Sequence, residues 1–298
     1  DRKGLKKLDN SGFTGKASIV YVLDKLIKIW GGEKEISEVI SMLVTQIRVE
    51  IEGEDNLDVL SGVAGIALAL LPYVISSGNK DGVEILKISM RKICSAHKLL
   101  ITSDEPFTGL SYLRGFSHGL SGIALALYRL SKYFNDTSVF IQSKELITRE
   151  IELVGTSQWT DSHQYKAEPL AAWCHGAPGI VLALTNMPKL LEEPVIEKYF
   201  NSAIDISFNS GFYESCCLCH GSLGNIDILK TAQSNNIQSE KIKIQTNNLI
   251  EKIFIHGFAS FGNDQTLGLS LMTGISGLGY GLFRLTDPAA VPSILSLE

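Results

Sequence analysis

No basic run in this sequence is longer than Arg2-Lys3 or Lys6-Lys7, and the formal net charge is −5. That balance disfavours a surface built to neutralise phosphates, so no nucleic-acid partner is expected. No apolar stretch approaches the roughly 20 residues needed to span a bilayer. One of the longest, 63–75, is interrupted by Gly65 and Pro72, so no transmembrane segment is expected. Neither an initiator methionine nor a signal-peptide pattern opens the chain at Asp1. The expectation is a cytoplasmic protein, and a chain excised from something longer. The strict alternation of a half-buried strand is missing too. Cysteine is scarce: there are five in 298 residues, and four of them fall between 174 and 219. A disulfide framework is thereby disfavoured, and such clustering beside histidines points to metal binding or catalysis. With 45% hydrophobic and 20% charged residues, wholesale disorder is excluded and a substantial core is available.

What is present is a repeat. Six copies carry a small or polar residue, then Gly-x-x-Gly, then an apolar run. They begin Ser11-Gly12, Ser61-Gly62, His118-Gly119, His175-Gly176, His220-Gly221 and Thr273-Gly274, with first glycines 45 to 57 residues apart. The runs that follow, such as Ile66-Ala-Leu-Ala-Leu-Leu71 and Ile123-Ala-Leu-Ala-Leu-Tyr128, are apolar all round, which predicts helices buried on nearly every side. Between them, 33–51, 81–99, 193–207 and 240–255 place apolar residues three and four apart, predicting helices with one wet face. Buried and half-buried helices alternate. The predicted class is all-α, and the simplest architecture is an α/α toroid, an inner ring of helices wrapped by an outer one. The glycines are expected to allow positive φ and close approach of neighbouring helix ends.

If the copies superpose, the residues before the first glycine share one end of the inner ring. Cys174 and Cys219 precede two of those residues, so Cys174, Cys219 and His220 meet at one rim. Two thiols and an imidazole form a zinc set that leaves a fourth tetrahedral position open, as catalytic sites do. Helix N-termini aimed at the rim favour thiolates. Cys217, two residues from Cys219, is a competing ligand, whereas Cys94 and Cys216 read as small buried hydrophobes. His175 is expected to support the site without binding metal. His97, His163 and His256 lie out of phase and read as ordinary surface or loop residues. His118 is in phase without an adjacent cysteine, which suits a general acid or base beside a metal-bound nucleophile. Asp58, four residues before Gly62, reads either as a turn cap or as a carboxylate that orients His118.

The segments Phe116-Ser-His-Gly-Leu-Ser-Gly122, Ala172-Trp-Cys-His-Gly-Ala-Pro-Gly179 and Leu218-Cys-His-Gly221 resemble the LanC-like cyclases of lanthipeptide biosynthesis. The spelling of the second segment and the tail Met272-Thr-Gly-Ile-Ser-Gly-Leu-Gly-Tyr280 are similar to the C-terminal cyclase domain of class II (LanM-type) synthetases. The resemblance covers essentially the whole chain, 1–298. It implies an α/α toroid with Zn2+ on Cys174, Cys219 and His220, and His118 with Asp58 as the acid/base pair. It implies addition of a precursor-peptide Cys thiol to dehydroalanine or dehydrobutyrine, giving (methyl)lanthionine rings in lantibiotic biosynthesis. The partner implied is a dehydrated precursor peptide with its leader. Two departures stand out. Stand-alone cyclases carry an Arg where this chain has Leu170. The family toroid has seven repeats, so the first, and a dehydratase domain before it, are expected upstream.

A non-catalytic zinc and thiol module of the glutathione-binding kind is the alternative on the same scaffold. A toroidal glycosidase needs paired carboxylates across a cleft, and Asp58 has no partner in repeat phase. Signatures of a zinc prenyltransferase are absent.

Overall fold

The computed structural model describes residues 4, 7–31, 34–102, 115–154, 171–212, 215–232, 239–257 and 268–298. Among them are eleven α-helices and no named strand, only an isolated bridge between Ala171 and Gly176. The helices are α1 (Lys16–Trp30), α2 (Lys34–Glu50), α3 (Val63–Ser77), α4 (Lys80–Thr102), α5 (Leu120–Phe134), α6 (Thr137–Val154), α7 (Ala177–Thr185), α8 (Pro194–Ser210), α9 (Ser222–Ala232), α10 (Ser239–His256) and α11 (Ile275–Thr286). Odd-numbered helices follow the glycine turns; even-numbered ones are the amphipathic partners.

The chain divides into two compact units. The first comprises Asp1–Gly109, Gly122–Leu146 and Leu297–Glu298; the second comprises Leu110–Ser121 and Ile147–Ser296. In the first, α1 packs on α3, α2 on α4, α1 on α2 and α3 on α4. In the second, α7 packs on α9 and α9 on α11, with α8 and α10 outside α7 and α9. The inner helices are buried as their sequences require. Val63 through Leu71 of α3, Ala177 through Leu184 of α7 and Ser222 through Leu229 of α9 are without exception buried. The outer helices bury one stripe, for example Ile40, Leu43, Val44 and Ile47 of α2. Helix α1 is an inner helix with a charge at its start. Lys16 is 1% exposed, and its ammonium is held by Asn10 Oδ1 at 3.2 Å and by the Glu50 carboxylate at 2.5 Å, the pairing a buried cation requires.

The turns show why glycine recurs, and the reason is close approach more than positive φ. Gly62 and Gly274 begin their helices at φ −112° and −117°, which any residue adopts; among the first glycines of the turns only Gly176, at +100°, needs glycine for its backbone. At the second glycine, a Cβ on Gly65, Gly179, Gly224 or Gly277 would strike the carbonyl oxygen of Val59, Trp173, Leu218 or Leu271, each six residues earlier. The same glycine also receives the preceding repeat: Gly12 lies against the Gly65 backbone, Phe116 against Gly179 and Leu218 against Gly277.

Backbone bonds correct the register of the first copy. Val63 N–H donates to Asn56 O (2.9 Å), Ser222 N–H to Ser215 O (2.9 Å) and Ile275 N–H to Gly268 O (2.9 Å), the donor in each case following the first glycine. The equivalent bond in the first copy is Lys16 N–H to Asp9 O at 2.8 Å. Gly15, not Gly12, is therefore its first glycine, Thr14 stands where Ser11 was expected, and Ser18 occupies the second glycine position.

Candidate metal and acid/base site

Within each turn, two residues before the first glycine is a fixed register position. Ser117, Cys174, Cys219 and Met272 occupy it in successive turns of the second unit, and these turns are laced together there. Ser117 Oγ donates to Cys174 O at 3.0 Å, Cys174 N–H to Cys219 O at 3.4 Å and Cys219 N–H to Met272 O at 3.0 Å. Lacing at one register carries the two sulfurs toward each other from positions 45 residues apart in sequence.

The ligand atoms of Cys174, Cys219 and His220 all lie within 4.8 Å of one another, and Cys174 Sγ is 3.9 Å from His220 Nδ1. Donors around a tetrahedral zinc ion sit roughly 3.5–3.8 Å apart, so two soft sulfurs and one imidazole at this spacing fit that ion. No other group of three or more such side chains occurs among the described residues. Cys217 is fully buried and stands outside the group. The neighbouring Cys219, with help from His175 and His220, holds the Cys174 thiol far below its ordinary value against the opposing effect of burial. Cys219 is pushed upward by its closeness to Cys174 and by burial. An arrangement that stabilises a thiolate on one sulfur is ready for a cation.

The Cys174 turn is fixed on several sides. Its ends pair through Ala171 and Gly176, and Ala172 N–H donates to His175 O at 3.0 Å. The buried Trp173 donates from Nε1 to Leu295 O at 3.0 Å and meets the Phe116 ring at 5.7 Å. Gly115, at φ +119°, faces the Gly176 backbone so closely that a Cβ would lie 2.6 Å from Gly176 N. The preceding turn is tied down in turn by Glu150 of α6, 2% exposed, whose carboxylate accepts Gly115 N–H at 3.0 Å and the Ser121 hydroxyl.

His118 is half-buried on that turn, and its ring stacks on His175 with centroids 5.5 Å apart and planes 22° apart. His118, His175 and the Cys174–Cys219–His220 group all belong to the second unit. Asp58 belongs to the first. It is 3% exposed, and its Oδ1 accepts Ser61 N–H at 2.8 Å and the Ser61 hydroxyl at 3.3 Å. At the same register, Ser270 Oγ accepts Thr273 N–H at 3.1 Å and Ser11 Oγ accepts Thr14 N–H at 3.3 Å. The turn asks only for an oxygen acceptor, and at Asp58 that acceptor is a carboxylate. His97 differs from its reading as a surface or loop residue: it lies buried in α4, with Nε2 3.1 Å from Glu145. Cys94 is half-buried, and burial pushes its thiol up to about 11, which fits an inert residue. Leu170 and His163 lie outside the described residues, as does the side chain of His256.

The residues that hold the turns, Ser117, Trp173 and Glu150, escaped the sequence reading. A signal existed for Glu150: it lies on the stripe of Val139, Leu146 and Ile147 in α6, a carboxylate where the helical period calls for an apolar residue.

Comparison with known proteins agrees with this picture. A lacticin 481/lactococcin biosynthesis protein of Lactococcus lactis subsp. lactis is 29% identical over 253 residues, which is 76% of this chain and 25% of that protein. The chain thus spans about a quarter of the length of that relative. Among solved structures, a nisin cyclase matches with a TM-score of 0.65 at 19% identity, over 97% of this chain and 80% of that one. That likeness shows the fold, the α/α toroid class that the alternation of helices predicts. Among the described residues no helix is long and apolar enough to cross a membrane. The profile of the lanthionine synthetase C-like protein family matches residues 2–296, and the chain belongs to that family.

Proposed function

We propose that this chain is the zinc-dependent cyclase part of a lanthipeptide synthetase. It joins cysteine thiols of a dehydrated, leader-bearing precursor peptide to dehydroalanine or dehydrobutyrine, in the cytoplasm. The observation that carries the reading is the convergence of Cys174, Cys219 and His220 within 4.8 Å in a member of this family. The residues named supply three donors, so one position of a tetrahedral ion is left for a substrate sulfur. A zinc ion bound by Cys174, Cys219 and His220 would supply Lewis acidity, which lowers the pKa of an incoming thiol.

The remaining chemistry belongs to side chains of this protein. The substrate sulfur adds to the β-carbon of the dehydro residue, the C=C electron pair moves onto the carbonyl as an enolate, and a proton then goes to the α-carbon. No group leaves, so the ring closes with one C–S and one C–H bond formed. His118 serves as the acid that meets the enolate charge and returns the proton, and as the base that receives the thiol proton earlier. Its stacking on His175 limits the ring's freedom. Asp58 enters this proposal on the family resemblance alone, as the carboxylate of the acid/base pair. The three turn-fixing residues hold the donors in place before substrate arrives, so little reorganisation accompanies the reaction.

The test is incubation with a dehydrated precursor peptide, followed by thiol alkylation and mass measurement. Cysteines that become protected without a change in peptide mass support the cyclase. Zinc binding with no protection supports a non-catalytic thiol-binding module instead.

A further inference from the structure

One register position in the inner helices breaks its own rule. Four residues after the first glycine stand Ile19, Ile66, Ile123, Ile180 and Leu278, and in the fifth copy Asn225. Asn225 is fully buried, where a polar side chain without partners is costly. Its amide finds two partners: Nδ2 donates to Ala171 O at 2.6 Å and to Gly211 O at 2.7 Å. Ala171 is the first residue of the paired turn whose apex is Cys174. Gly211 ends α8, and a Cβ there would come 3.1 Å from Asn225 Nδ2, so the chain leaves room for this contact. Helix α9 therefore carries Cys219 and His220 at its threshold and, one turn further in, a clamp on the segment that bears Cys174.

We propose that Asn225 is a positioning residue of the metal centre, using α9 as a ruler that sets the Cys174 turn at its working distance from Cys219 and His220. This rests on the reading of the cluster as a metal site. An aliphatic side chain at this register, as in the other five copies, would remove both donations and release the Cys174 turn from the helix. Polar groups that orient metal ligands from behind typically change affinity by about 10–100-fold when removed.

The experiment compares wild type, Asn225→Ile and Asn225→Ser, the last being small enough to admit water at the two carbonyls should the isoleucine variant fail to fold. Zinc affinity is measured by competition with a chromophoric chelator, and Co2+ is added to read the tetrahedral ligand-field and thiolate charge-transfer bands. Circular dichroism monitors helicity. Ser143→Ala is the control: it removes a buried 2.8 Å bond to Ala124 O in the first unit, whereas the cluster belongs to the second. The expected result is a helical Asn225 variant with zinc affinity lowered about 10–100-fold and weakened cobalt bands, and a control with wild-type affinity. A folded Asn225 variant with wild-type affinity and wild-type cobalt bands overturns the proposal, as does an equal loss in the control. If wild type itself takes up no zinc, the metal-site reading fails first.

Discussion

Replacing Arg284 tests the packing of the inner helices most sharply. Its guanidinium is 4% exposed in α11, with Nε 2.7 and 2.9 Å from the two oxygens of Asp227 in α9, itself buried. The same group donates to Val291 O at 2.5 Å and to Pro288 O at 3.3 Å, tying down the segment that leads to Leu295 and the Trp173 contact. Arg284→Leu keeps the apolar stem and deletes the charge, leaving Asp227 buried without its cation. Removing one partner of such a pair costs about 3–5 kcal/mol. At a urea dependence of about 3 kcal/mol/M, the unfolding midpoint falls by roughly 1–1.7 M. Most of that penalty belongs to the stranded carboxylate, so Arg284→Leu/Asp227→Leu recovers a large part of it, because a buried pair replaced by apolar side chains is often close to neutral. The assay is urea unfolding of the four proteins of the cycle, followed by far-ultraviolet circular dichroism. A single variant within 1 kcal/mol of wild type, or a double variant no more stable than the single one, would refute the reasoning.

Three further outcomes are expected. His118→Asn keeps its zinc and loses about 10²–10⁴-fold in cyclisation rate, checked by metal analysis beside a peptide assay; wild-type turnover would remove His118 from the chemistry. Gly65→Ala drives a methyl into the Val59 carbonyl and destabilises by about 1–3 kcal/mol, whereas Ser18→Gly at the same register changes stability by well under that, as thermal melts will show. Cys94, with its folded pKa raised by burial, favours the folded state while the thiol is protonated. That contribution is complete below the unfolded thiol value near 9 and is lost as pH rises through about 11. The urea midpoint therefore declines across that window less steeply in Cys94→Val than in wild type.

How far the sequence alone carries the structure varies from residue to residue. The outer helices at 33–51, 81–99, 193–207 and 240–255 appear as α2, α4, α8 and α10 within a few residues, because their apolar stripes are clean. Helix α6 escaped because Ser143 and Glu150 share its buried stripe, bonded to Ala124 O and to Gly115 N–H. The first repeat was misphased because Gly12 and Gly15 have the same spacing as the true glycine pairs. Gly12 is required for another reason, its approach to Gly65 of the next copy. The candidate metal ligands were legible because Cys-His-Gly stands twice in one register, and a repeat turns equal register into spatial proximity. Asp58 was only half legible: a carboxylate that closes a turn and one that serves chemistry look alike in a sequence. Asn225 escaped the sequence reading, because it departs from its aliphatic counterparts at one register only and its partners, two backbone carbonyls, leave no trace in side-chain patterns.

We propose above all that Cys174, Cys219 and His220 together hold one zinc ion. This is tested most directly by metal analysis of the purified protein beside its Cys174→Ala and Cys219→Ala variants, each checked for helicity. The expected result is about one zinc per wild-type chain, and a chelator-labile or absent ion in both helical variants. Wild-type protein with no zinc in the presence of the free ion, or variants that retain it undiminished, would contradict it.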